Sequence, residues 1–315
     1  MRLLILFIFI LCSGVLNGQI VRTHPYYKPP VSGCSYLLDQ YSGAAAAYSL
    51  RKLDCDYAGS AIRVRRSSDN TESDIGFTSA GDLDTAALKT FVGTGGSDDG
   101  FVVTWYDQSG NSRNATMSTS TQQPLVMDNG VVLRMSGLPT VVLDGSNDRL
   151  EFARIDLTAG SMFMTTRRTS SSTYQNAFQI IQSSTGRSAF ETGLNNDANY
   201  GPIIVGSNGN VTRYGKGGTL RNNENRVLTT IWLGTGTNGA VYYNAYDDNS
   251  SVTLSNTPNI DAVNGTTSLI GAGYSGASIV NYYGGWISEI IFYNADKSSD
   301  RSNINTNINT YYSIY

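Results

Sequence analysis

Punctuation constrains this chain most. From Leu125 to Tyr293, short runs of β-branched and aromatic residues alternate with turn formers, and Asn129-Gly130, Asn208-Gly209, Asn238-Gly239 and Asn264-Gly265 stand between the runs. An Asn-Gly pair supplies the positive φ values a tight hairpin needs, so each pair predicts two antiparallel strands around it. The runs predict strands at Leu125–Met127, Val131–Met135, Thr140–Leu143, Leu150–Phe152, Ser161–Thr166, Ala177–Gln182, Ser188–Thr192, Pro202–Val205, Arg226–Leu233, Gly239–Tyr243, Ser251–Leu254, Ser268–Ala272 and Gly285–Tyr293. Many short strands at this spacing pack as a sandwich or a barrel. The expected fold class is all-β, a β-sandwich with a few short helices, and 33 Gly, 20 Tyr and only 15% charged residues suit it.

Ahead of these strands, Phe101–Tyr106 is another β-branched and aromatic run, ended by the turn formers Asp107-Gln108-Ser109-Gly110-Asn111. Such a corner either holds a ligand or satisfies its own loop; Asx-type turns favour the second use, and the corner is read as bracing the sandwich. Earlier still, four consecutive Ala (Ala44–Ala47) among Leu37, Leu38, Tyr41, Tyr48, Leu50 and Leu53 predict a helix within Tyr36–Leu53, with Arg51 and Lys52 near its C-terminus. Ala61–Arg66 alternates Ile62 and Val64 with Arg63, Arg65 and Arg66. That pattern predicts a strand whose basic face is solvated or grips a carboxylated sugar. Asp82–Val92 and Ser298–Tyr312 carry apolar residues at helical spacing, and the second segment is expected to cap the sheet through Ile304, Ile308 and Tyr311.

Residues 1–18 read as a secretory signal peptide, with Arg2, an apolar run from Leu3 to Cys12, and small and polar residues to Gly18. Residues 19–33, with Pro25, Pro29 and Pro30, read as an extended linker, and residues 34–315 as one domain. The expected protein is therefore secreted, with no membrane insertion. A formal net charge of −3 gives no footprint for nucleic acid or an anionic membrane. Export permits a disulfide between Cys34 and Cys55, contributing roughly 3 kcal/mol in the chain-entropy model. One histidine, His24, and no cysteine cluster argue against a zinc site or a Ser-His-Asp triad. No cofactor is expected apart from a structural Ca²⁺, for which Asp144 to Asp148 and Asp247-Asp248-Asn249 offer oxygen ligands; solvated turns are the competing reading.

Two parts of the chain resemble known families. Tyr48-Ser49-Leu50-Arg51, the run from Ala61 to Asp69 and the corner Tyr106-Asp107-Gln108-Ser109-Gly110-Asn111 resemble the N-terminal part of the fungal-type α-L-arabinofuranosidase B catalytic domain. Val142 to Leu150, with the late strand Gly285 to Asn294, resembles the concanavalin A-like, laminin-G-like jelly rolls. Both resemblances imply a concanavalin A-like β-sandwich. The first also implies two carboxyl groups about 5 Å apart, as a retaining glycosidase requires. In that family the acid/base is an Asp in a Gly-Gly-Asp turn, where this chain reads Gly271-Ala272-Gly273-Tyr274. The nucleophile's nearest likeness is Glu191, which precedes Asn195-Asn196, and Glu289 matches a Glu that follows the acid/base turn. The adjacent cysteines that line the family's sugar pocket are absent from the sequence.

Sugars stack on aromatic rings, which makes Tyr274, Tyr246, Trp286 and Tyr282 the candidate ligand-binding residues, and Glu191 and Glu289 the candidate catalytic ones. Three functions follow as expectations. The first is a secreted protein that binds a polysaccharide or cell-surface glycan without hydrolase activity. The second is an active α-L-arabinofuranosidase, and the third a structural adhesion module of a virion or surface assembly.

Overall fold

The computed structural model describes residues 33–155, 160–169, 174–181, 189–195, 203–208, 211–215, 223–233, 242–252, 267–275 and 277–315. The leader and nearly all of the linker lie outside them. So does most of the segment that carries Asn238-Gly239 and Asn264-Gly265.

Two antiparallel layers make the sandwich. The first runs, in spatial order, through Glu72–Ile75, Ile62–Arg66, Gly100–Trp105, Ala115–Thr116, Leu150–Ala153, Thr267–Ile270, Tyr174–Ile181, Ala189–Asn195, Ile203–Asn208 and Val211–Gly215. The second runs through Ser250–Val252, Tyr242–Asp247, Arg226–Leu233, Gly160–Arg168 and Gly284–Tyr293. The far edge of Gly284–Tyr293 is shared end to end by Ala44–Ser49 and Val141–Asp144. Leu125–Asp128 pairs with a strand of each layer and ties them together. Between the layers, Ile62, Val64, Val102, Phe152, Phe178 and Ile270 meet Met162, Met164, Ile290 and Phe292. The Phe292 ring lies 6.0 Å from Phe152 and 5.1 Å from Phe178.

A second apolar cluster covers the outer face of the second layer. Ala44, Ala47, Phe163, Ile291 and Tyr293 pack there under Leu37, Leu38 and the C-terminal helix Arg301–Tyr312, which contributes Ile304, Ile308 and Tyr312. The expected cap thus forms, with Tyr311 packed against its rim. The helix Thr85–Val92 also forms, and its cap is Asp84, whose Oδ1 accepts from the Ala87 amide at 2.9 Å. Asn129 and Gly130, at φ 47° and 77°, make the hairpin between Leu125–Asp128 and Val131–Val132. Among the described residues no helix is long and apolar enough to cross a membrane.

Two expectations are corrected. The alanine run is a strand, Ala44–Ser49, and only Leu37–Gln40 is helical in that region. Ala45 and Ala46 face the inner core while Ala44 and Ala47 face the helix-covered cluster, so this strand is buried on both sides and its small side chains fit where larger ones would overpack. Tertiary packing here overrides the helical propensity of alanine. The basic face of Ile62–Arg66 is solvated at Arg63 and Arg66 but buried at Arg65, and all three guanidinium groups already have protein partners. Arg63 forks onto Asp74 at 2.8 and 3.0 Å, and Arg66 onto Asp69. Arg65 is buried against Gln123, Asn70 and the Ser120 carbonyl, its guanidinium 4.6 Å from the Phe101 ring.

The corner does brace the fold. One Asp107 oxygen accepts from the amides of Ala47 and Ser109, and the other accepts from the Arg113 amide and the Ser109 hydroxyl. Gln108 donates to the carbonyls of Ser49 and Arg51 and accepts from the Leu53 amide. Asn111 donates to the Ala44 carbonyl. The corner therefore sutures the alanine strand into place.

Cys34 and Cys55 form the expected disulfide, tying the segment before Leu37–Gln40 to the loop after Leu53. Reduction, or Cys55→Ser, is expected to lower the unfolding free energy by about 3 kcal/mol. Urea titrations with and without reductant measure it.

Candidate functional site

The turn Gly271-Ala272-Gly273-Tyr274 follows the strand Thr267–Ile270 and opens the hairpin of Gly273–Ser275 with Ser278–Val280. Gly271 is required by its backbone conformation, and Gly273 is closely approached. Gly271 sits at φ +87°, and a Cβ there would lie 2.0 Å from the Leu143 side chain; a Cβ at Gly273 would lie 2.1 Å from the Asn176 amide nitrogen. Backbone bonds pin the turn from both sides, with Gly271 donating to the Ala177 carbonyl and Tyr283 donating to the Gly271 carbonyl, each at 2.8 Å. Gln179 completes the clamp, since its side-chain oxygen accepts from the Tyr274 amide at 2.7 Å. Tyr274 is half-buried, and its hydroxyl is 3.1 Å from Thr267 Oγ1.

Glu191 enters this site through the ladder. It stands directly opposite Gln179, and opposed residues of an antiparallel pair share a face with Cβ atoms about 5 Å apart. Two positions singled out in the sequence, Glu191 and Tyr274, thus meet at one glutamine. The Glu191 side chain lies outside the described residues.

Glu289 is elsewhere. It lies on the helix-covered face of the second layer and is 0% exposed. Arg51 Nε and Nη2 donate to its two oxygens at 2.7 and 2.9 Å, Ser49 Oγ donates at 2.8 Å and the Tyr312 hydroxyl at 3.3 Å. Burial works against the charge on Arg51, yet the Glu289 carboxylate outweighs it and holds the guanidinium above its ordinary value. Burial pushes the Tyr312 phenol well up, and the Glu289 charge adds to it. This is a buried, bidentate ion pair, in a different layer from Glu191.

The aromatic candidates also divide. Tyr274 and Tyr282 flank one hairpin, Tyr282 half-buried with its hydroxyl 3.4 Å from the Ile279 carbonyl. Trp286 and Tyr246 belong to the second layer, and each is half-buried under a guanidinium, Arg167 at 5.0 Å and Arg301 at 3.9 Å.

The loops considered for Ca²⁺ use their oxygens on backbone amides. Asp144 Oδ1 accepts from Ser146, Asn147 and Asp148, and Asp148 Oδ2 accepts from Asp144. Asp248 and Asn249, at φ 46° and 65°, form a two-residue hairpin turn, while Asp247 pairs with Arg226. The one cluster of potential metal ligands among the described residues, Cys34, Asp39 and Cys55, has two members in the disulfide.

Sequence reasoning missed Gln179 and Asn176, and considered Asp148 only as a calcium ligand. Polar residues at outward positions of Tyr174–Ile181 were the available signal for the first two. Asp148 is buried beside the glycine turn, its carbonyl 3.2 Å from where a Gly271 Cβ would lie. Burial, with the Asp144 charge added, pushes its carboxyl up to about 7. A carboxyl raised on folding favours the native state at pH values below the unfolded pKa, near 4, and that contribution is lost as pH rises through 7. Asp148→Asn is therefore expected to raise the unfolding free energy at pH 8 by about 1–2 kcal/mol and to leave it unchanged near pH 4. Urea titrations at the two pH values check this.

Comparison with known proteins agrees with the architecture. The family described as "Alpha-L-arabinofuranosidase B, catalytic" matches residues 36–142. No curated protein sequence matches significantly. Among solved structures, an arabinofuranosidase complexed with arabinofuranosyl-α-1,2-xylobiose superposes with a TM-score of 0.59 at 16% identity, over 86% of this chain and 64% of that one. A mutant GH54 α-L-arabinofuranosidase soaked with 4-nitrophenyl α-L-arabinofuranoside gives 0.60 at 17% identity, with the same coverage. The chain thus spans less than two thirds of the length of these solved proteins. Matched family segment, antiparallel layers and superposition together give this chain an arabinofuranosidase B catalytic-domain-like fold.

Proposed function

We propose that the chain binds a polysaccharide or cell-surface glycan at the turn beside Glu191 and does not cleave it. One observation carries the reading: the turn that the resemblance assigns to an acid/base Asp presents Tyr274. Retaining hydrolysis needs two carboxyl groups about 5 Å apart, and Tyr274 puts a phenol where one of them would stand. Glu289, the other carboxylate considered, is sealed in the opposite layer. A half-buried ring on a turn held by backbone hydrogen bonds is instead suited to stacking on a sugar. Export of the protein is part of the same proposal, supported by the apolar leader and the disulfide.

The test pairs catalysis with binding. Arabinose release from 4-nitrophenyl α-L-arabinofuranoside is expected to be no greater than that of Glu191→Gln. A glycan array is expected to show saturable binding that Tyr274→Ala weakens at least tenfold, a loss of about 1.4 kcal/mol. Release abolished by Glu191→Gln would establish the alternative, an active α-L-arabinofuranosidase, which the ladder position of Glu191 favours. An array blank across plant, algal and bacterial glycans would point to an adhesion module.

A further inference from the structure

The C-terminal helix has an unusual outer stripe. Its twelve residues, Arg301–Tyr312, include a single charged side chain, Arg301. Ile304, Ile308 and Tyr312 pack inward, Asn305 bonds Thr229, and Asn309 accepts from the Ile314 and Tyr315 amides to close the helix end. Of the others, Asn303, Thr306, Asn307 and Thr310 lie at spacings of three and four that place them on one face. Asn303, Thr306 and Thr310 are exposed and Asn307 is half-buried. With Gln40, Tyr41 and Arg51 they line an open groove of about 400 Å³ between this helix and the N-terminal segment.

Three features of the groove bear on what it takes. Arg51 is only 8% exposed and cannot swing: Glu289 holds it bidentately, and the Tyr311 and Tyr312 rings lie 4.7 and 5.7 Å from its guanidinium carbon. Those bonds use Nε and Nη2, so Nη1 has no hydrogen-bond partner among the described residues. Asn307 Oδ1 is buried and equally without a partner. Leaving such an acceptor unsatisfied is costly, and the Asn307 amide must turn outward before a ligand hydroxyl can relieve it. The charge on Arg51 is already neutralised by Glu289, and the remaining lining groups are amides, hydroxyls and the Tyr41 ring. Such a set suits a neutral, hydroxyl-rich ligand and gives an anion little net attraction.

We infer that this groove is a second saccharide site, for neutral sugars, on the helix-covered side of the sandwich and separate from the Tyr274 turn. Its donors are held in place before binding, which reduces the ordering cost of association. With both sites occupied, one molecule would engage two glycan segments and gain avidity without new contacts.

The experiment is a titration of the full chain with xylobiose, cellobiose and maltose up to about 10 mM, followed by amide NMR, since weak sugar sites have Kd values near 1 mM. Saturable shifts are expected at Asn303 to Thr310 with at least one of them. Asn307→Leu combined with Thr310→Val should weaken that binding at least tenfold, and Tyr274→Ala should leave it unchanged. The amide spectrum remote from the helix shows whether the double variant is folded. Should it not fold, Thr306→Lys, at an exposed position, serves as the blocking variant. Absence of saturable shifts at the helix with all three sugars would overturn the inference. So would shifts that survive the blocking variant, or a glucuronate titration that binds this face more tightly than the neutral sugars. Loss of binding at the Tyr274 turn alone would leave the helix shifts intact, so the two proposals fail separately.

Discussion

Arg51→Met is expected to lower the unfolding free energy at pH 7 by about 3–5 kcal/mol, the range seen when one partner of a buried ion pair is removed. The physical reason is what the substitution leaves behind. Glu289 has no exposure, and its nearest remaining donors would be the hydroxyls of Ser49 and Tyr312, at 2.8 and 3.3 Å. Two neutral donors cannot replace a bidentate guanidinium around a fully buried carboxylate, so the charge is left uncompensated or the C-terminal helix is drawn away. The double variant Arg51→Met with Glu289→Met separates this cost from the net worth of the pair, because exchanging both charges for apolar groups is often neutral or stabilising. Equilibrium urea unfolding of wild type, both single variants and the double variant reads all four corners of the cycle. A loss below about 1 kcal/mol for Arg51→Met would show that Glu289 reaches solvent, at odds with a buried pair.

Much of the architecture could be read from residue order because its signals are local. The Asn129-Gly130 turn, the Asp-capped helix ending at Val92 and the inward stripe of Ile304 and Ile308 each depend on neighbours a few positions away, and the disulfide followed from there being only two cysteines beyond the leader. The alanine strand depends on distant ones. Ala44–Ala47 are small because two packed surfaces close on them, the inner core and the C-terminal helix, and no local pattern announces that. The site was legible to the same degree. The substituted turn at Tyr274 and the neighbourhood of Glu191 could be named from motif likeness, whereas Gln179, which joins them, is a product of strand register. Glu289 looked like a functional acid because its motif is shared, and its role became visible only with the Arg51 partner 238 positions earlier in the chain.

Asp107→Ala is expected to cost about 3–4 kcal/mol, since buried backbone amides left without acceptors cost about 1–3 kcal/mol each. Three such amides, of Ala47, Ser109 and Arg113, together with the Ser109 hydroxyl, converge on this one carboxylate, which is 4% exposed. Asp107→Asn should cost roughly half as much, because one side-chain oxygen survives while the new NH₂ faces the other donors. The comparison discriminates between the two uses of the corner. A ligand site would lose binding with little change in the urea midpoint; a brace loses stability in proportion to the acceptors removed and leaves glycan affinity unchanged wherever the chain stays folded. Asp107 grips Ala47 and the Glu289 cluster grips Ser49, two residues further along the same strand. The strand Ala44–Ser49 has helix-forming residues and is held as a strand by these polar clamps at neighbouring positions. Asp107→Ala and Arg51→Met should therefore be non-additive: once either clamp is gone the strand loosens, and the second substitution is expected to cost about 1 kcal/mol less than it does alone.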